Sequence, residues 1–232
     1  MCIRDRLYTD TLNYDVEAKQ LMQYVQSLVK PHDKPRLLDV ACGYGRYLKL
    51  LQDAKYDVLG VEINAEIVDK NRNNGLNCVT VDEFKSSDEQ FDLIIMSHII
   101  EHFEPQALKD FLDFYLDRLK IDGYLIIATP LMSDYFYDDF DHVKPYQPAG
   151  VISVFGRSGA QVQYYSKNHL QLCDLWFRRG FYKFAHFRSN YIKSPLTWPL
   201  RMANFLSALV YRASFGLVGQ VDGWMGVFKK CA

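Results

Sequence analysis

Short apolar runs separated by amphipathic stretches set the rhythm of this chain. Arg36–Val40, Tyr56–Ile63 and Phe91–Met96 are nearly continuous apolar runs of strand length, as expected of strands covered on both faces. Asn77–Val81 and Tyr124–Ala128 are shorter runs of the same kind. Between them the apolar period becomes helical. Val16, Leu21, Tyr24, Val25 and Leu28 mark a helix over Asp15–Val29, ended by Pro31, and Tyr47, Leu48, Leu50 and Leu51 mark one running to about Asp53. Asn64 is placed to cap the helix after the second strand. Pro105 opens another, with Leu108, Phe111, Leu112, Tyr115 and Leu119 on its buried side, and Asp122-Gly123 turns it into the fifth strand.

Strands alternating with helices at this spacing predict a parallel sheet with helices on both faces. Residues 130–165 break the rhythm; a connection that long usually carries function. Beyond it, Ser166 is expected to cap a helix through Arg179, stopped by Gly180. Phe181–Phe187 then reads as a strand, Ser194–Phe215 as a helix, and Gly223–Lys229 as a last strand antiparallel to Phe181–Phe187. The expected fold class is α/β: a seven-stranded, mostly parallel sheet with helices on both faces and an antiparallel C-terminal hairpin. One domain is expected over 13–232, with the 130–165 loop and a 190–220 helical insertion covering the ligand mouth. Residues 1–12, which begin Met1-Cys-Ile-Arg-Asp-Arg6, are set aside as disordered or artefactual.

Composition narrows the class further. A chain of 232 residues with 49% hydrophobic and 15% aromatic content can bury a full core and is not a disordered polymer. A formal charge of -1 offers nothing to a polyanion, so no nucleic acid partner is expected. The five cysteines (Cys2, Cys42, Cys78, Cys173, Cys231) are scattered, odd in number and free of C-x-x-C pairs. With no secretory signal, they read as reduced thiols of a cytoplasmic protein. Met202–Val218 is the one long apolar segment, but Arg212 and interposed polar residues make it a poor membrane span. It is expected to pack on the protein's own core, with peripheral membrane contact through 196–218 as the alternative. Composition says nothing of the oligomeric state.

The chemistry concentrates in Leu37-Leu-Asp-Val-Ala-Cys-Gly-Tyr-Gly-Arg46, a strand, a glycine turn and a helix start. That layout lets backbone approach a nucleotide-like ligand. Leu48 stands where a dinucleotide site needs the third glycine of G-x-G-x-x-G, which argues against NAD. Three further signals follow in order: Glu62 ends the second strand, Asp82-Glu83 follows the third, and Phe91–His102 precedes Leu119–Ile127. Together these residues resemble class I S-adenosylmethionine-dependent methyltransferases over about Asp15 to Lys229, with 190–220 unusual, and most closely the small-molecule or sugar-type branch.

The resemblance implies a Rossmann-like fold, S-adenosyl-L-methionine as cofactor and methyl transfer as the reaction. It assigns Asp39, Gly43, Gly45, Glu62, Asp82, Glu83 and Ser97 to cofactor binding, with Glu62 at the ribose hydroxyls, Asp82-Glu83 at the adenine and Asp39 near the methionine amino group. Read alone, Asp39 equally serves as a turn cap, Glu62 as a solvated strand-end acid and Asp82-Glu83 as a helix start.

His98-Ile-Ile-Glu101-His102 lies at the end of the fourth strand, where open α/β sheets bind ligands. The H-x-x-E-H spelling occurs in zinc peptidases, but here it abuts a strand in a different frame. In ubiquinone-pathway and small-RNA O-methyltransferases a similar Glu-x-x-Glu-His segment holds a divalent metal; His98 here replaces the first Glu. His142, in Phe140-Asp-His-Val-Lys-Pro145, sits in a segment resembling a signature of sugar and small-metabolite methyltransferases. Three readings stay open: capping the turn, a general base toward a hydroxyl acceptor, or metal binding with His142 as a further ligand. The catalytic candidates are His98, His102 and His142. The last two are preferred as base, His98 lies nearer the methionine end, and no metal ligand is assigned. His32, His169 and His186 are expected away from this surface. Tyr135-Phe-Tyr137 and Tyr164-Tyr165 either wall the acceptor pocket or pack the loop.

The expected activity is methylation of a small-molecule or glycan-linked acceptor, at oxygen rather than nitrogen or carbon. A non-catalytic S-adenosylmethionine-binding module and a nicotinamide-dependent oxidoreductase are the alternatives.

Overall fold

The computed structural model describes residues 16–133, 136–156, 161–184, 186, 189 and 192–232. Residues 1–12 and Tyr135 therefore lie outside the described residues, as does part of the Phe181–Phe187 run. The strands are β1 (Arg36–Val40), β2 (Asp57–Glu62), β3 (Cys78–Thr80), β4 (Phe91–Ser97), β5 (Leu119–Pro130), β6 (His169–Gly180) and β7 (Gln220–Cys231). The helices are α1 (Val16–Leu28), α2 (Arg46–Asp53), α3 (Ala65–Asn73), α4 (Val81–Lys85), α5 (Pro105–Leu116), α6 (Pro148–Phe155) and α7 (Thr197–Ala213).

The sheet order is β3-β2-β1-β4-β5-β7-β6, parallel from β3 through β5 and antiparallel at the C-terminal strands. The expected Rossmann-like fold class stands. Asp39 pairs in register with Gly60 of β2 and Ile95 of β4, so the winding reverses beside β1. The crevice outside the C-terminal ends of β1 and β4 is the switch point where such sheets bind ligands.

By compactness the described residues divide into two units: one within Asp15–Trp176 together with Trp224–Ala232, the other within Phe177–Gly223. The larger unit holds both hydrophobic layers. Leu38, Val40, Ile94 and Met96 face one cluster, while Leu37, Leu93 and Ile95 face the other. Lys230 is buried and donates to the carbonyls of Leu116 and Leu119 at 2.6 and 2.9 Å. In the smaller unit, Asn204 of α7 brackets Phe184, accepting from its N–H at 2.6 Å and donating to its carbonyl at 3.0 Å. Among the described residues no helix is long and apolar enough to cross a membrane.

Three local expectations are corrected. The helix expected over Ser166–Arg179 is strand β6. Ser166 Oγ donates to Asp113 and accepts from Asn168 N–H at 2.9 Å, so it builds a turn rather than a helix cap. The strand expected at 181–187 is consequently displaced; 181–184 has no regular structure, and the strand beside β7 is His169–Gly180. Asp122-Gly123 does not separate α5 from β5. Asp122 has φ 65° and forms an irregularity within a strand already begun at Leu119. The 130–165 segment also contains α6, started by Pro148 and buried through Val151 and Phe155.

Candidate functional site

The turn after β1 is built from left-handed backbone. Ala41, Gly43 and Gly45 have φ of 56°, 53° and 75°. A Cβ on Gly45 would lie 2.4 Å from Leu76 Cδ1 and 3.2 Å from Asn71 Oδ1, which adds crowding to a left-handed backbone that already favours glycine. A Cβ on Gly43 would meet nothing within 4 Å, so Gly43 faces open space into which a ligand can come close to backbone. Two side chains hold the turn. Glu62 Oε2 accepts from Gly43 N–H at 3.0 Å, and its Oε1 accepts from Ile63 and Asn64 N–H at 2.9 and 3.1 Å. Asn71 Nδ2 donates to the Gly43 carbonyl at 2.8 Å. Leu48 is fully buried, and a Cβ on Gly60 of β2 would come 2.7 Å from its Cδ2. The small residue that a dinucleotide motif places on the helix stands here on the strand.

Asp39 is only 2% exposed, and its Oδ2 has no hydrogen-bond partner. Burial, reinforced by Cys78 and Glu62 nearby, pushes its carboxyl up to about 7 against a smaller opposing effect from the Leu48 backbone. Cys42 and Cys78 bring their thiols to 3.5 Å beneath the turn. The acids after β3 separate. Glu83 closes a capping box with Thr80 and pairs with Arg72 at 2.7 Å, whereas Asp82 is exposed and pairs with Lys85 at 3.2 Å. Of the two, Asp82 is the one outside the helix cap.

Ser97 ends β4 with its hydroxyl buried and unpartnered. His98 follows at φ 53°. Its Nε2 meets Glu17 Oε1 at 2.9 Å and its Nδ1 lies 3.4 Å from Glu101 Oε1. Burial works against its charge, but the two carboxylates outweigh that and raise its pKa to about 9. Both ring nitrogens are thus engaged by carboxylates, an arrangement that favours the imidazolium over a free base.

The remaining histidines come together. His102, in the single helical turn Ile100–His102, and His142 have ring centroids 5.0 Å apart. The backbone of Glu101 draws in the 140s segment, accepting from Val143 and Lys144 N–H at 2.9 and 3.1 Å. His102 Nδ1 lies 3.0 Å from the Asp141 carbonyl, and His142 Nδ1 lies 2.6 Å from the Phe136 carbonyl. A carbonyl only accepts, so both Nδ1 atoms carry hydrogen; in a neutral ring the lone pair then falls on Nε2, which in His142 lies 3.8 Å from Asp139 Oδ2. Between them Glu101 is fully buried. Its Oε2 accepts from Thr129 Oγ1 at 3.0 Å, and its Oε1 has the His98 ion pair at 3.4 Å but no closer hydrogen bond. Burial acts to raise the Glu101 carboxyl, yet contact with His98 holds it below the usual range. One ligand atom each from Glu101, His102 and His142 lie within 4.8 Å of one another, a set able to hold a metal ion.

Among the described residues, five buried side-chain atoms lack a hydrogen-bond partner. Asp39 Oδ2, Asn71 Oδ1, Ser97 Oγ and Glu101 Oε1 belong to the turn after β1, its Asn71 clip and the segment ending β4. Only His169 Nδ1 lies elsewhere. Unmet polar atoms concentrated at one switch point are what a polar ligand would satisfy. Together with the open space at Gly43, they fit the cofactor implied by the sequence resemblance. Glu17, Asn71 and Thr129 carry no motif; they are recognisable only once α1, α3 and β5 are packed beside the turn. Of the aromatic candidates, Phe136 is buried 4.6 Å from the His142 ring, while Tyr137 and Tyr165 are exposed. His32 and His186 are exposed, and their partners are Asp33 and Ser189.

The family model for a methyltransferase domain matches residues 13–186. A SAM-dependent methyltransferase from Archaeoglobus fulgidus shares the fold at TM-score 0.59 and 21% identity, covering 97% of this chain and 98% of that one. A putative methyltransferase from Bacillus halodurans gives TM-score 0.61 at 16% identity, covering 94% and 100%. A putative sarcosine dimethylglycine methyltransferase from Galdieria sulphuraria gives 0.54 at 14%, covering 94% and 85%. No curated protein sequence matches the chain.

Proposed function

The chain belongs to the methyltransferase domain family, as a class I methyltransferase using S-adenosylmethionine, and from that premise we propose that it methylates a hydroxyl of a small-molecule or glycan-linked acceptor. Family membership decides against the nicotinamide-dependent alternative. The active domain is taken as 13–232, including the 190–220 segment, and the activity is placed in the cytoplasm, where thiols such as Cys42 and Cys78 stay reduced.

S-adenosylmethionine supplies an electrophilic sulfonium methyl group when bound. Asp39, Gly43, Gly45, Glu62 and Ser97 would hold it, and Asp82, free of the capping box that engages Glu83, would be the acid toward the adenine. His98 contributes a fixed positive charge beside Glu17 and Glu101. His102 and His142 would handle the proton, an imidazole Nε2 accepting the hydrogen that a methylated acceptor hydroxyl must lose. The observation carrying this reading is the pair of imidazoles beyond the end of β4, each oriented by a backbone carbonyl at its Nδ1. The test is release of S-adenosylhomocysteine over a panel of hydroxylated acceptors, simple glycosides included. His102→Ala and His142→Ala should each cut turnover by about 100-fold or more while leaving S-adenosylhomocysteine affinity nearly unchanged. Unchanged turnover would assign both histidines to structure, and no turnover with any acceptor would favour a non-catalytic binding module.

The buried Glu101 carboxylate, grouped with His102 and His142 within 4.8 Å, favours a second reading of the same cluster, in which these three residues bind a divalent metal. Backbone carbonyls on the far ring nitrogens are the usual support of metal-bound histidine. Titration calorimetry with zinc or manganese distinguishes the two. Binding at one equivalent that is lost in Glu101→Gln supports the metal, and its absence leaves the general-base reading alone.

A further inference from the structure

We propose that the outer face of α7 is a docking surface for an anionic lipid bilayer. The helix is amphipathic in the inverted sense. Trp198, Met202, Phe205, Leu206, Leu209 and Val210 recur at helical spacing along one face, and all are exposed, Trp198 at 70%. The opposite side carries small and polar residues that anchor it within its own unit. Ala208 is buried, Asn204 brackets the Phe184 backbone, and Tyr211 Oη donates to the Arg179 carbonyl at 2.7 Å. Phe215 and Leu217 continue the apolar surface just past the helix, at 95% and 77% exposure. A contiguous apolar face of this size is uncommon on a surface that meets only water.

Charge says what covers it. Residues 177–223 contain seven Lys or Arg and one acid, leaving 20 basic and 27 acidic residues of the chain's 27 and 28 elsewhere. The single acid, Asp222, is taken by Arg178 at 2.8 Å. Arg201 and Arg212 are three residues beyond Trp198 and Leu209, so they fall along one edge of the apolar stripe. Apolar residues and a tryptophan bordered by basic side chains, on a 17-residue helix that does not span a membrane, suit a helix lying in the headgroup layer of anionic lipid. A second copy is a poorer occupant: a two-fold pairing of this face would set its arginines against those of the partner with no acid to offset them.

This inference goes beyond methyl transfer and is tested without it. The full chain is floated with phosphatidylcholine vesicles, with or without phosphatidylglycerol, while Trp198 fluorescence is followed. Flotation at least tenfold stronger with the anionic vesicles, weakened by salt and accompanied by a blue shift absent in Trp198→Phe, is the expected result. Arg201→Glu with Arg212→Glu should reduce partition about tenfold or more, and Leu206→Asp with Leu209→Asp should abolish it. These side chains already lie in water, so both variants should keep the wild-type melting temperature, which circular dichroism checks. The proposal is overturned if the wild-type chain stays out of both vesicle types. It is equally overturned if partition is the same in all variants, or if light scattering shows a dimer that Leu206→Asp with Leu209→Asp dissociates while vesicles bind nothing.

Discussion

Asp39 and Ala41 show how much strain the turn after β1 holds at single positions. Asp39 titrates near 7 in the folded protein, well above an unfolded aspartate. A carboxyl with a raised folded pKa gives stability that is fully present below about 4 and lost as pH rises through about 7. The ligand-free protein should therefore weaken across that window. Asp39→Asn should flatten the decline and raise the ligand-free melting temperature at pH 8 by about 2–4 °C for roughly 1 kcal/mol, while weakening cofactor binding. Calorimetric melting across pH 4–8, with and without S-adenosylhomocysteine, checks both effects. Ala41, at φ 56°, is an L-residue in a glycine conformation, which costs about 1–2 kcal/mol. Glycine would relieve that strain and return about 0.5–1 kcal/mol of unfolded-chain entropy. Ala41→Gly should stabilise the protein by about 0.5 kcal/mol, measured by denaturant unfolding. Residue types and order made the glycine turn legible in the sequence, down to Leu48 as the residue that departs from a dinucleotide site. Glu83 stayed open between cofactor acid and helix start, because an acid after a strand looks the same whether it faces a ligand or its own helix.

At the scale of elements, local signals sufficed wherever each strand and the helix after it formed a short unit. β1 through β4, α1 and α2 lie within a residue or two of their sequence-derived bounds, and α3 and α5 start where Asn64 and Pro105 place them, although α5 ends at Leu116 and the Leu119 assigned to it opens β5. β6 failed for a physical reason. Its Leu170, Leu172, Leu175 and Trp176 satisfy a helical spacing as well as an extended one, and its neighbour β7 begins 40 residues after it ends. Nonlocal pairing decided the matter, and no window over 166–180 contains it. The same limit hid Glu17. From α1 it accepts from Tyr47 Oη at 2.8 Å and holds His98 in its charged state. His98 thus contributes stability that is present below about 6.5 and lost as pH rises through about 9. Glu17→Gln should lower the His98 pKa by about one unit in an NMR titration, since one of its two carboxylates is gone. An unchanged pKa would leave Glu101 as its sole support.

Across the whole molecule, apolar burial is distributed very unevenly between the two units. Both hydrophobic layers lie within Asp15–Trp176 and Trp224–Ala232, and every strand from β1 to β5 contributes fully buried side chains to them. Among the described residues of 177–223, only Phe181 and Ala208 are buried hydrophobics, and most large apolar side chains there face solvent. The free energy of local opening follows the apolar area that must be exposed, so the two units should open at very different cost. The sheet core carries the global stability, whereas α7 is held largely by a few polar anchors such as Asn204 and Tyr211. Hydrogen exchange should therefore find the α7 amides exchanging at least about 100-fold faster than those of β1 and β4, through an opening that leaves the β1 turn protected. Asn204→Ala removes the Phe184 bracket and should widen that gap while leaving β1 and β4 unchanged. Equal protection of α7 and the central strands would instead mean that the helix shares the cooperative core, and the polar anchors would then be incidental to its stability.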